Sequence, residues 1–290
     1  MSPLPREHLC YTQNFLKDPR LVTHLLDQAS ITPDDVVYEI GPGKGIITAQ
    51  LAHRCKRVVA IEKDSRLAAL LLRRFAQQPQ VSIHAADFLG YPLPRQPYKV
   101  FANIPFNITS AIVTKLSTAP NPPEDAYLAM QQEAAAMLLG QPRESLRTLL
   151  LKPWFELTMI HRFQRSDFVP EPQVDVVMLR LRKRGPPLVC AQHRQCFRDF
   201  AVYAFTSRQP ALAGTLKTLL SGPQLKHISR SVGFADDATP TSLTFAQWLR
   251  LFDCFQQQAN ARALRAIAGS EQRLLRQQQQ LHKVHRTRLL

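Results

Sequence analysis

The chain has 290 residues, room for one large domain or a large domain with a smaller one, and its 45% apolar content is that of a globular protein. No apolar run is long enough for a membrane span and the N-terminal segment has no signal-peptide core, so a soluble cytoplasmic protein is expected. The net charge of +15 is unevenly placed: residues 181–290 carry 17 Lys+Arg against 5 Asp+Glu, a basic field that suits a polyanion such as nucleic acid.

From Val36 the chain alternates short β-rich runs with amphipathic stretches. Val36–Ile40 reads as a buried strand, followed by a Gly-rich turn and a helix from Ile46 to Cys55. Val58–Glu62 is a second strand and Ser65–Gln77 a second helix. Val81–Ala85, Lys99–Asn103 and Ala126–Met130 are further strands, with a helix over Ser110–Leu116. Phe155–Arg162 and Val174–Arg182 are two late strands with no long helix between them. The pattern predicts an α/β fold with a Rossmann-like parallel sheet covered on both faces, plus an antiparallel edge. Arg182–Pro187 reads as a linker, and beyond it Gln195–Phe205, Ala211–Leu220, Lys226–Val232 and Phe245–Phe255 read as helices. The expected organisation is an α/β domain over 1–184, a small all-α domain over 185–260 whose basic charge suits nucleic acid, and a flexible basic Arg/Gln-rich tail over 261–290.

Five cysteines (Cys10, Cys55, Cys190, Cys196 and Cys254) are scattered and odd in number. Cys190, His193 and Cys196 sit close together but lack a second ligand cluster, so no metal is expected. A monomer is expected.

Glu39-Ile-Gly41-Pro-Gly43-Lys-Gly45 follows the first strand directly. Glycine lets the backbone turn sharply and a ligand approach without a Cβ in the way. Glu62 ends the second strand, where ribose hydroxyls could donate to its carboxylate, and Asp87 follows the third, placed to accept from an adenine amine. A dinucleotide site would have Gly-x-Gly-x-x-Gly and a helix N-terminus for a pyrophosphate. The spacing here favours S-adenosylmethionine, which carries no phosphate.

The fourth strand ends in Asn103-Ile104-Pro105-Phe106. An exocyclic amine is a poor nucleophile because its lone pair is delocalised into the ring. Asn103 can accept from one N–H and the Ile104 carbonyl from the other, while Pro105 stiffens the turn and Phe106 offers a face for the base. The amine nitrogen would then attack the sulfonium methyl in line, a step that needs positioning rather than a covalent intermediate. Read alone, this chemistry does not separate adenine from other amine substrates.

Taken in order, these residues resemble the rRNA adenine-N6 dimethyltransferases. Gln13-Asn14-Phe15-Leu16-Lys17-Asp18 is similar to that family's N-terminal cofactor motif, and Phe168-Val-Pro-Glu-Pro-Gln-Val-Asp175 to its late motif. The resemblance implies that Gln13, Asn14, Leu16, Gly41, Gly43, Glu62, Asp87 and Asn103 contact S-adenosylmethionine, with Asn14 and Asn103 on its methionine part. It also implies that Phe106 and Phe168 hold the target adenine. Ile104 and Phe106, with Leu243–Phe252, resemble the erythromycin-resistance branch that methylates 23S rRNA and blocks macrolide, lincosamide and streptogramin B antibiotics. The alternatives are a 16S-type dimethyltransferase of ribosome biogenesis and a non-catalytic rRNA-binding assembly or transcription factor; intact Asn103, Pro105 and Phe106 argue against the last.

Overall fold

A computed structural model describes residues 14–287, which divide into two compact units. The first comprises residues up to Ala135 together with Glu156–Lys183; the second comprises Ala136–Phe155 and the chain from Arg184 onward.

The first unit runs β1 (Phe15–Leu16), α1 (Pro19–Asp27), β2 (Val36–Ile40), α2 (Ile46–Ala52), β3 (Arg57–Glu62), α3 (Ser65–Arg74), β4 (Val81–Ala85), β5 (Lys99–Asn103), α4 (Thr109–Thr118) and β6 (Asp125–Gln131). The chain continues with α5 (Gln132–Leu138), α6 (Leu146–Leu151), β7 (Phe155–Arg162), β8 (Phe168–Val169) and β9 (Val176–Lys183). Seven strands make one sheet in the order β4-β3-β2-β5-β6-β9-β7. The first five are parallel, and β9 pairs antiparallel with β6. The short β1 pairs antiparallel with β8, Leu16 opposite Phe168.

Local chemistry sets the helix starts. Asp18 accepts from the Arg20 N–H at 2.8 Å with Pro19 in the first turn of α1, and Asp64 accepts from the Arg66 and Leu67 N–H groups to open α3. The core between α1, α2 and the sheet holds Val22, Leu25, Val37, Leu51, Val58, Phe101, Tyr127 and Met178, all but withdrawn from solvent. Each such side chain contributes roughly 1.5–3 kcal/mol by burial.

The two ends of the parallel strands differ in polarity. At the starts, Lys99 on β5 donates to Asp35 at 2.7 Å, and Asp125 on β6 is gripped by Arg180 and by the Tyr127 and Ser30 hydroxyls. Charges there are mutually satisfied. At the carboxyl ends, carboxylates and amides face glycine turns and keep acceptor capacity, which is where open α/β sheets bind ligands.

The second unit adds α7 (Arg194–Thr206), α8 (Leu212–Leu216), α9 (Gly222–Val232), α10 (Phe245–Gln258), α11 (Ala261–Ile267) and α12 (Ser270–Thr287). Phe200 stacks on Phe255 at 4.5 Å, Phe197 meets Phe252 edge-on at 5.1 Å, and Trp248 donates its indole N–H to the Pro240 carbonyl. Thr244 and Gln247 close a capping box at the start of α10.

Two sequence expectations are corrected here. Residues 136–155, assigned to the α/β domain by position, pack with the second unit: Arg184 donates to the Lys152 carbonyl and Arg198 to the Leu150 carbonyl. In the segment expected as a flexible tail from 261, residues 261–287 carry two helices. Ala263, Ile267 and Ser270 are buried, and Asn260 caps α11 through the Ala263 N–H at 3.0 Å. Arg, Gln, Leu and Ala are good helix formers, and composition alone hides the tertiary anchors that fix them. Among the described residues no helix is long and apolar enough to cross a membrane.

Candidate active site

The order β4-β3-β2-β5-β6 reverses direction between β2 and β5. At that switch point the crossover connections leave on opposite sides and open a crevice. The turn after β2 and the segment after β5 both fall there, and a Cβ built on Gly41 would come 3.9 Å from Pro105 Cδ.

Gly41, Gly43 and Gly45 all have positive φ, at 66°, 57° and 77°. The Gly41 N–H is held by the Ile61 carbonyl at 2.9 Å, so the turn is locked to β3. Phe15 lies directly over Gly43: a Cβ there would sit 2.3 Å from its ring. Lys44 Nζ lies 5.4 Å from the centroid of the same ring. The N-terminal motif therefore closes over the glycine turn.

Glu62 is 1% exposed and ends β3. It accepts from the Gly43 N–H at 3.0 Å and from the Asp64 N–H at 2.9 Å, one bond per oxygen. Each oxygen retains a lone pair for a hydroxyl donor. Asp87, two residues beyond β4, accepts from the Leu89 N–H and from Lys63 Nζ, each at 2.9 Å. The Lys63 ammonium, followed by the Leu89 N–H, holds its carboxyl below the ordinary range, so it stays an ionised acceptor at neutral pH.

Asn103 ends β5 and donates its side-chain N–H to the Asn14 carbonyl at 2.7 Å. With the nitrogen so engaged, its Oδ1 meets no donor among the described residues. Ile104 is buried, its N–H on the Ala129 carbonyl at 3.2 Å. The next two carbonyls are used locally, Pro105 by the Ile108 N–H and Phe106 by the Thr109 hydroxyl. The Ile104 carbonyl has no such partner among the described residues. Asn103 and Ile104 thus present two adjacent acceptors. Phe106 is half-buried, packed on one side against the core.

The sequence candidates divide as follows. Asn14, Gly41, Gly43, Glu62, Asp87 and Asn103 to Phe106 all lie at the strand ends or on the motif that covers them. Leu16 is there too, but its side chain is buried in the core, which leaves only its backbone for a ligand. Gln13 lies outside the described residues. Phe168 is corrected: it is 0% exposed, opposite Leu16 across the β1–β8 ribbon and edge-on to Phe163 at 5.2 Å, with no face left for a base. Its motif carries the ribbon that positions Asn14. Among the described residues no group of three or more His, Cys, Asp or Glu could hold a metal.

Glu39 heads the glycine motif but was given no site role, and Lys115 escaped sequence reasoning altogether. Glu39 is 1% exposed; one oxygen accepts from the Thr48 hydroxyl at 2.6 Å and the other has no partner among the described residues. Burial pushes its carboxyl up to about 8. Lys115 on α4 donates to the Phe88 carbonyl at 2.7 Å, the Leu89 carbonyl at 2.9 Å and the Tyr91 carbonyl, and lies over the Phe88 ring. It pins the loop that carries Asp87. The spacing of Glu39 and Thr48 across the turn was a usable signal; nothing near Lys115 in the sequence points to that loop.

These residues fit S-adenosylmethionine. The ligand is rich in donors (an α-amine, two ribose hydroxyls and an adenine amine), and the crevice is rich in acceptors: Glu62, Asp87, Asn103 and the Asn14 carbonyl. The open side of Gly41 leaves room for it. A pyrophosphate would meet carboxylates instead of donors.

The family model described as "Ribosomal RNA adenine dimethylase" matches residues 6–257. An rRNA adenine N-6-methyltransferase of Bacillus licheniformis is 30% identical over 247 residues, covering 84% of this chain and 86% of that one. A ribosomal RNA small subunit methyltransferase A of Synechococcus sp. is 32% identical over 278 residues, covering 92% and 98%. The crystal structure of the 23S rRNA methyltransferase ErmE superposes with a TM-score of 0.78 at 31% identity, covering 84% of this chain and all of that one. The chain belongs to the ribosomal RNA adenine dimethylase family and is an S-adenosylmethionine-dependent rRNA adenine-N6 methyltransferase.

Proposed function

We propose that this enzyme methylates one adenine of 23S rRNA in the peptidyl-transferase region and so confers macrolide, lincosamide and streptogramin B resistance, acting in the cytoplasm. The likeness to ErmE over the whole of that chain carries this reading. Ile104 and Phe106 in the catalytic segment support it.

At the site, Asn103 Oδ1 and the Ile104 carbonyl accept the two N6 hydrogens and draw the nitrogen toward a tetrahedral geometry. Pro105 holds the two acceptors in register, and the exposed side of Phe106 stacks on the extruded base, worth roughly 1–3 kcal/mol. Bound S-adenosylmethionine supplies an electrophilic methyl on sulfur. Asn14, Gly41 and Gly43, with the Leu16 backbone, position its methionine end; Glu62 takes the ribose hydroxyls and Asp87 the adenine amine. No strong base is needed, because the proton on N6 becomes acidic once the nitrogen is alkylated. We assign the first unit, residues up to 135 with 156–183, to cofactor binding and transfer, and the helices beyond Arg184 to RNA.

Primer extension across 23S and 16S rRNA from cells expressing the protein tests the reading. A new stop at a single 23S adenine, with raised macrolide resistance, is expected. Modification of paired adenines near the 3′ end of 16S rRNA would replace it with the second reading, favoured by the small-subunit relative that aligns over 98% of its own length.

A further inference from the structure

Residues 259–290 follow the region that matches the family and carry seven Lys+Arg against a single acid, Glu271. How that charge is used differs from residue to residue. Glu271 is spent on docking: Arg198 of α7 donates three bonds to its two oxygens, at 2.9, 2.8 and 2.5 Å, and Gln195 adds a fourth at 3.2 Å. Asp199, 5% exposed and next on α7, accepts from the Gly269 N–H at 3.1 Å and the Glu271 N–H at 2.9 Å. A buried carboxylate from one helix thus caps the free amides at the start of another, which also suits the helix dipole. Arg273 is spent as well, on the Ala268 carbonyl at 2.8 Å and the Ser270 hydroxyl at 2.7 Å.

Arg262, Arg265 and Arg276 are exposed, and among the described residues none has an acidic partner. Arg262 and Arg265 are three apart on α11 and therefore neighbours on one face. The sole acid of the segment is consumed in anchoring it, so the surface it offers outward is cationic. Anchoring three guanidinium groups on docked helices lowers the entropy cost of meeting fixed phosphates. Among the described side chains of α12 the exposed ones are mostly glutamine, with Leu275 the one exposed large apolar group, a poor match for lipid insertion.

We infer that α11 and α12 form a docked arm that binds the phosphate backbone of the rRNA substrate through Arg262, Arg265 and Arg276. This rests on rRNA being the substrate and not on which rRNA is methylated.

The test compares the full chain with the triple variant Arg262→Gln, Arg265→Gln, Arg276→Gln. Affinity for a protein-free rRNA transcript is titrated against KCl, beside steady-state methyl transfer. The triple variant should flatten the log–log salt slope by about two to three. Its KM for RNA should rise at least tenfold, with kcat and cofactor affinity unchanged. A wild-type slope and KM would overturn the proposal. Glu271→Ala adds one net positive charge but releases the dock, so weaker RNA binding is expected; equal or tighter binding would mean an unanchored polycation. Gain of binding to phosphatidylglycerol vesicles through the same arginines, with RNA affinity intact, would also overturn it.

Discussion

At the switch point, the Gly41 N–H rests on Ile61, the Gly43 N–H on Glu62 and the Asn103 amide on the Asn14 carbonyl, so each anchor uses a main-chain atom at a strand end or glycine turn. In α11 and α12 the anchors are three side chains of α7, and the groups offered outward are long arginines. The first arrangement is inseparable from the sheet that makes it. The second is fastened by polar side-chain contacts to α7 and by the buried Ala263 and Ile267. Substitutions at the strand ends should therefore abolish chemistry or cofactor binding, whereas those in the appendage should change how RNA is held and leave turnover intact.

Asn103→Ala is the sharpest break. Removing one of two acceptors in a preorganised site should lower single-turnover methyl transfer on the order of 10²–10³-fold, with an unchanged circular dichroism spectrum. Activity within tenfold of wild type would take the chemistry away from this segment. Gly43→Ala follows. Its φ of 57° disfavours any Cβ, and that Cβ would strike the Phe15 ring. The backbone strain costs about 1–3 kcal/mol, visible in thermal unfolding, and cofactor affinity should fall with it as Phe15 is displaced. A stable variant with normal affinity would mean the N-terminal motif does not close over the turn.

How far each region was legible follows from the same contrast. A strand-end site needs glycine where the chain turns and carboxylates where hydroxyls donate, so Gly41, Gly43, Glu62, Asp87 and Asn103 stand out by type and by position after a β-run. Phe168 was misplaced because an aromatic in a motif looks the same whether it stacks a base or fills a core; only the β1–β8 pairing reveals which. The helix α1 was missed although Asp18, Pro19 and the apolar spacing of Leu21, Val22, Leu25 and Leu26 announce it. The docking of α12 could not be seen, since Asp199 and Glu271 lie 72 residues apart and neither belongs to a pattern.

Glu39→Gln isolates the electrostatic cost hidden under the glycine turn. The wild-type carboxyl titrates near 8 in the fold against 4.5 as its ordinary value. Between those values the folded protein binds more protons than the unfolded chain, so stability falls as pH rises, by up to about 1.4 kcal/mol per pH unit. Thermal midpoints measured without cofactor should decline from pH 5 to 8 in the wild type and flatten in the variant. A slope that persists in Glu39→Gln would place the titration elsewhere.

The smallest expected effect is at Lys115, which belongs to the strand-end region yet anchors by a side chain, as the appendage does. Its ammonium satisfies three carbonyls of the loop bearing Asp87, and burial holds its pKa below the usual lysine value. Lys115→Met keeps the length of the stem and leaves those carbonyls without their donor. If the loop's only task is to set Asp87, losing about 1 kcal/mol of positioning should raise the KM for S-adenosylmethionine several-fold while kcat stays within twofold. Lys115→Arg, which keeps the charge, should recover much of that loss. A merely structural lysine would instead lower the unfolding midpoint and leave KM alone, and then the strand-end site would be main-chain anchored throughout, with Asp87 held by Lys63 and its own Leu89 turn.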